Sequence, residues 1–313
     1  MTARFTSRRW TWDGNKVRSA VPEARCIYRK VPNERGVALI IVLLVTALLI
    51  ALIFEFAYGT RISLRAAVNF RDSQRAYYLA RSGVTFAGRY LAYNLQKDPE
   101  TGVTHEYDNL EERDWQTVPY IPGNDTELRV RWEDETGKIN ISNATKGSDA
   151  YNRLVILFTN LGIGQNILDQ ISAWMIEEKR SFYLLSDIHQ FLSDEDFRKV
   201  QDYVTVLPPS MTPGNKIDIN TAPAAVLMSL GMSENAAQTI VERRNEQPFK
   251  PTDDLSPYIG QNSTAIAGQL SFTSNVFSVN SYATVGGYTK QADAIITRAS
   301  DGSGFTILYW RAL

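Results

Sequence analysis

Residues 37–54 read VALIIVLLVTALLIALIF, eighteen consecutive positions without a charge. At 1.5 Å per residue a helix of that length covers roughly 27 Å, and carried on through Tyr58 it reaches the ~30 Å hydrocarbon thickness of a bilayer. Core helices of soluble domains rarely run so far without a polar face, so the segment predicts a membrane span over 37–58. Arg25, Arg29, Lys30 and Arg35 crowd its N-terminal flank. The positive-inside bias keeps that end cytoplasmic and sends the bulk of the chain across the membrane. A cleaved secretory signal fits poorly, because its apolar core is only ~7–15 residues and precedes a small-residue cleavage site. Here Glu55, Phe56, Ala57 and Tyr58 lead on into more helix. A formal net charge of −1 hides the same polarity. Residues 1–36 hold 9 Lys/Arg against 3 Asp/Glu, and the remainder holds 24 against 31, a basic head on an acidic body.

The helical pattern continues over 59–98 with no proline, and Ala76, Ala80, Val84, Ala87, Leu91 and Leu95 form one apolar stripe. Either partner helices or the chain's own sheet must cover it. Arg65, Arg71, Arg75, Arg81 and Arg89 fall on the other faces and read as a solvated surface. Strands follow. In 126–136, Leu128, Val130 and Trp132 alternate with Arg129, Arg131 and Glu133. Alternation returns only near the end, in 277–285, 288–298 and 305–311, with Gly286-Gly287 and Asp301-Gly302-Ser303-Gly304 as turns. Segments 99–136 and 271–313 therefore form an antiparallel frame packed on the long helix.

Between those strands, residues 137–270 carry an internal repeat. Gly137-Lys138-Ile139-Asn140-Ile141-Ser142-Asn143-Ala144 answers Asn215-Lys216-Ile217-Asp218-Ile219-Asn220-Thr221-Ala222. Each is followed by an apolar helix, a Leu-Gly pair (Leu161-Gly162, Leu230-Gly231) and a second helix. Two helical units, 137–206 and 215–260, joined by the Pro-rich 207–214, make up an inserted all-α domain. The longer spacing in the first unit predicts an insertion ahead of its first helix, around Gly147-Ser148-Asp149. Asn220 or Thr221 is expected to cap the helix that starts near Pro223, with Ala222 beside it. Gly231 permits the tight turn.

These units resemble helix-hairpin-helix modules, whose glycine amides hold a nucleic-acid phosphate. Gly162-Ile163-Gly164 keeps that pattern, but the second unit has Ser233 in place of the last glycine. Residues 137–260 hold 11 Lys/Arg against 15 Asp/Glu, a net of −4. Nonspecific nucleic-acid binding needs a basic face, so a protein-contact role is expected and no nucleic-acid partner.

Glu34-Arg35-Gly36-Val37-Ala38-Leu39-Ile40-Ile41-Val42 resembles the leader junction of type IV pilins and type II secretion pseudopilins. The resemblance implies cleavage by a prepilin peptidase between Gly36 and Val37 and N-methylation of Val37. Most such subunits carry glutamate at the fifth mature position, where this chain has Ile41. A carboxylate there would lie in lipid and need a partner, commonly the amine of a neighbouring subunit. Its absence, with the Asp218-Ile219-Asn220-Thr221-Ala222-Pro223 motif and its earlier partner Gly137–Ile141, makes the chain similar to the general secretion pathway protein K family of minor pseudopilins. That similarity implies an α+β, pilin-like fold with the large helical insert. It also implies a tip position in the type II secretion pseudopilus, initiating or capping assembly and supporting protein export. The partners implied are the other minor pseudopilins, the major pseudopilin, the inner-membrane secretion machinery, the peptidase and secreted substrates. The location implied is the inner membrane, single-pass, with the bulk periplasmic. A minor pilin priming a type IV pilus or DNA-uptake filament is the alternative.

Calcium enters through the resemblance alone, with its ligands unnamed. Family members follow the tryptophan, here Trp174, with an Asp-rich stretch and paired tyrosines; this chain has only Met175 to Tyr183. Glu177-Glu178 and Asp194-Glu195-Asp196 are the nearby acids, and adjacent acids on a helix read as solvated faces. Enzymatic motifs are missing. There is no P-loop, Gly-x-Ser-x-Gly, His-Glu-x-x-His or Cys-x-x-Cys, and Cys26 is the only cysteine, beside two histidines, His105 and His189. No catalytic or metal-ligating residues are named, and no enzymatic activity is expected.

Overall fold

In this computed structural model the described residues are 34–94, 116–118, 125–178, 181–208, 211, 215–259 and 263–312. Residues 1–33 of the leader and residues 95–98 of the expected amphipathic helix lie outside them. The chain divides into two units, residues 1–63 and 64–313. The first contains the start of helix α1 (Glu34–Asn94), whose apolar run is long enough to cross a membrane and leaves its side chains uncovered.

The second unit is α+β. Its main sheet has five antiparallel strands in the order β1-β2-β7-β8-β9, where β1 is Gln116–Thr117, β2 Thr126–Asp134, β7 Val276–Val285, β8 Tyr288–Arg298 and β9 Phe305–Ala312. The β7–β8 turn places Gly286 and Gly287 at φ +55° and +84°, the left-handed pair a two-residue hairpin requires. Alternation decides the faces. Leu128, Val130, Trp132, Phe277, Val279, Ala283, Ala292, Ala294 and Ile296 turn inward and meet Ala80, Val84, Ala87 and Leu91 of α1. The chain's own sheet therefore covers the stripe from Ala80 to Leu91.

Two glycines set that approach. A Cβ on Gly83 would lie 2.1 Å from Ser281 Oγ and 2.9 Å from Val130 Cγ2, and one on Gly88 would lie 2.4 Å from the Phe305 ring. Buried Arg298 ties the layers together, donating from Nε to the Ser274 carbonyl (2.9 Å) and from Nη1 to Leu91 O (3.2 Å). The second bond joins the C-terminal part of α1 to the end of β8.

The insert enters and leaves the sheet at one place. Asp134, the last residue of β2, pairs with Phe277 at the start of β7. Neighbouring strands therefore carry a long excursion without interrupting the ladder. The excursion contains β3 (Ile139–Asn140), α2 (Asp149–Asn160), α3 (Gln165–Glu177), α4 (Asp194–Val200), β4 (Val204–Thr205), β5 (Ile217–Asp218), α5 (Ala224–Ser229), α6 (Glu234–Glu246), α7 (Ser256–Ile259), α8 (Ser263–Ala267) and β6 (Leu270–Ser271). Its apolar residues, from Ile139 to Leu270, share one hydrophobic core separate from that under α1.

Candidate functional site

The two repeats fold alike around short parallel bridges. Ile139-Asn140 pairs with Val204-Thr205, and Ile217-Asp218 pairs with Leu270-Ser271. At the last residue of each bridge a side chain folds back on its own backbone. Asn140 Oδ1 accepts from Ser142 N (3.1 Å), and Asp218 Oδ1 accepts from Asn220 N (2.7 Å), the Asx turn these residues favour. A helix, a left-handed glycine (Gly162 φ +70°, Gly231 φ +93°) and a second helix follow in both. Phe182 and Phe249 are buried after the second helices, as are Ile188 and Leu255.

The repeat asparagines act as peptide clamps. Asn140 Nδ2 donates to Leu207 O (3.1 Å) while its Oδ1 accepts from Leu207 N (3.1 Å). Asn220 does the same to Phe249, donating to its carbonyl (2.9 Å) and accepting from its amide (2.7 Å). An amide side chain matches a peptide donor for acceptor, so buried backbone is satisfied away from any regular ladder.

This corrects the capping expectation. Pro223 stands at the start of α5 with no side-chain cap. Asn220 is turned to Phe249, and Thr221 Oγ1 donates to Asp134 Oδ2 at the mouth of the insert. Ala222 is fully buried, and its carbonyl accepts from Arg244 Nη1 (2.6 Å). The insertion reading holds in part, since three extra residues precede α2. Of the extra spacing in the first repeat, six residues lie in the helix itself, since α2 has 12 residues and α5 has 6. Ser148, expected to mark inserted loop, is the N-cap of α2 and accepts from Tyr151 N (3.1 Å).

Sequence reasoning missed the buried cations. Arg153, 4 % exposed, donates from Nη1 to Asn215 O and from Nη2 to Gln269 Oε1 (2.8 Å), joining the first repeat to the second. Burial lowers its pKa against the opposing pull of Asp149. Its place on the apolar side of α2, one residue before Leu154, was the available signal. Lys138 is bracketed by Glu135 (3.0 Å) and Glu133 (3.6 Å). Burial opposes its charge, but Glu135, Glu133 and Asp134 outweigh that and raise its pKa. A lysine raised on folding contributes stability that is complete below its unfolded value, ~10.4, and is lost as pH rises through the folded value. Lys138→Met is expected to cost about 1–2 kcal/mol at neutral pH by removing the buried cation that Glu135 and Glu133 share. The variant should also lack the Lys138-linked fall in stability above about pH 10. Urea midpoints at pH 8 and pH 11 check both.

A cavity of about 260 Å³ lies between the outer face of the sheet and the insert. Lys138 and Glu135 line it, as do Leu184, Leu185, Tyr309, and the Asp293–Arg311 pair (3.1 Å).

The leader-junction residues Gly36, Val37 and Ile41 fall in the first turns of α1 and are exposed. The acids considered for calcium do not converge. Glu177 and Glu178 are exposed at the end of α3. Asp194 meets His189 (2.9 Å), while Glu195 and Asp196 turn to Lys199 (2.7 and 3.7 Å). Among the described residues no three His, Cys, Asp or Glu side chains are grouped to hold a metal ion. Calcium's six to eight oxygens do not fit this donor set. Aromatic packing holds the segment after α3 instead, with Trp174 stacked on Phe182 (4.8 Å) and Phe191 edge-on to both.

Comparisons with known proteins agree with this architecture. A family model for protein K of the type II secretion system matches residues 217–280, the second repeat and the return into β7. The type II secretion system protein K of Pseudomonas aeruginosa is 24% identical over 308 residues, covering 86% of this chain and 90% of that one. A chain in the crystal structure of the GspK-GspI-GspJ complex from enterotoxigenic Escherichia coli has the same fold, with a TM-score of 0.61 and 16% identity. That match covers 79% of this chain and 99% of the other. The family model and the Pseudomonas relative both make the chain similar to protein K of the type II secretion system, and the solved structure shares its fold. The protein K family is a component of a secretion apparatus and not a known enzyme. Its long apolar helix and antiparallel sheet are the shared frame.

Proposed function

We propose that the chain is the minor pseudopilin at the tip of a type II secretion pseudopilus, where it initiates and caps filament assembly. The observation that carries this is a helical body built into a pilin-like sheet between adjacent strands, in a chain whose fifth residue after Gly36 is Ile41. Without a carboxylate at that position the subunit has no polar tether to one ahead of it, and the insert obstructs stacking on that side. The membrane helix remains available to subunits behind.

In this reading residues 1–36 are a cytoplasmic leader, 37–58 the inner-membrane span and 59–98 the amphipathic helix. Residues 99–136 and 271–313 form the scaffold, and 137–270 the periplasmic insert. Its partners are the other minor pseudopilins, as the I and J chains are in the similar complex, together with the major pseudopilin and the inner-membrane machinery. Secreted substrates would meet the exposed insert. The DNA-uptake alternative has less support, because Ser233 Oγ already accepts from Ala236 N at the second hairpin, where a phosphate would be held.

Intact mass of the membrane-extracted protein, with and without prepilin peptidase, tests the class. The expected result is loss of residues 1–36 and a methylated Val37 only when the peptidase is present. An Ile41→Glu variant tests the place in the filament: assembly is expected to lose its termination at this subunit. If Ile41→Glu filaments match wild type in number and length, the missing carboxylate has no part in the tip role.

A further inference from the structure

We propose that β9 receives an extended segment of a protein partner as a sixth strand of the main sheet. The segment would carry acidic side chains on its helix-facing side and large apolar ones on the other. Strand β9 is the last in the order β1-β2-β7-β8-β9, and among the described residues no strand pairs with its outer side. An edge strand offers a row of backbone donors and acceptors to another chain, and proteins usually blunt such edges with proline, lysine or very short length. Phe305–Ala312 is eight residues long and contains no proline, lysine or glycine. A bulge at Leu308, between the pairs Ile296–Ile307 and Ile295–Tyr309, turns the strand but leaves a stretch on either side. Ile307 and Trp310 remain 42% and 38% exposed.

The two faces beside that edge differ in chemistry. On the helix side, Trp310 stands 6.3 Å from Tyr77, and the Arg81 guanidinium lies over its ring at 5.3 Å. Arg81 is the cation shown beside this edge; at 3.6 residues per turn Arg65, Arg71, Arg75 and Arg89 fall on other faces of α1. A partner's carboxylates are favoured there. On the other side Tyr309 and Arg311 stand on the wall of the 260 Å³ cavity, with Leu184 and Leu185 opposite. Arg311 is neutralised by Asp293, so this side favours an apolar side chain. Strand addition works in this way, with backbone bonds supplying affinity and pockets for alternate side chains supplying specificity. Any partner offering such a segment would be read by it, whichever position in a filament the chain occupies.

The full chain in detergent micelles tests this with two labelled octapeptides, (Leu-Asp)₄ and (Leu-Lys)₄. The acidic peptide is expected to bind at least tenfold more tightly and to slow amide exchange across Thr306–Arg311. Arg81→Glu should reverse the preference, and because Arg81 is exposed that reversal is readable in a folded protein. Equal binding of the two peptides would overturn the assignment. So would binding that leaves β9 exchange unchanged, or a preference that Arg81→Glu does not alter.

Discussion

Asn220→Ala is expected to destabilise the second unit by about 3–5 kcal/mol, lowering the urea midpoint of the full chain in micelles. The side chain is 1% exposed and holds both the amide and the carbonyl of Phe249. Deleting it strands two buried backbone groups, each worth ~1–3 kcal/mol of desolvation, and opens a small void. Phe249 itself is among the largest fully buried side chains, so losing its anchor loosens the chain leaving α6. Asn220→Asp separates the clamp from simple volume. The aspartate can still accept from the Phe249 amide, but it cannot donate to the carbonyl and sets a charge beside Asp218. It should be at least as damaging as alanine. A near-native Asn220→Asp would show that donation to Phe249 O is dispensable.

Gly83→Ala should cost about 1–3 kcal/mol, although alanine is the better helix former by ~1 kcal/mol. The new methyl would lie 2.1 Å from Ser281 Oγ, 2.9 Å from Val130 and 3.0 Å from Leu128. All three contacts are with strand side chains packed under α1, so the helix must lift or the sheet must yield. Adding Ser281→Ala removes the closest atom and should recover part of the loss, a coupling that a double-mutant cycle on thermal unfolding measures. Additive effects would mean that the helix and sheet do not meet at this point as described.

Much of the frame could be read directly from the chain, because it rests on short-range chemistry. The uncharged run 37–54 sets its own length against a bilayer, and alternation through Leu128, Val130 and Trp132 declares a strand with one buried face. Gly162, Gly231, Gly286 and Gly287 all take the left-handed backbone their turns require. The repeat was visible as a motif recurring with its Leu-Gly turns, and both copies build the same bridge, helix and turn. What could not be read were the meeting points between distant segments. The bridges that close each repeat are two residues long and leave no periodicity to detect. Asn220 looked like a cap because caps are local, yet its partner is 29 residues away, and that of Thr221 is 87. Periodicity along α1 marked the 76–91 stripe as apolar, but an apolar face carries no address. Burial against Val130, Val279 and Ile296 assigned its part from Ala80 to Leu91 to the chain's own sheet. Arg153 and Lys138 make the same point, since a buried cation is tolerable only where folding brings distant carbonyls and carboxylates to it.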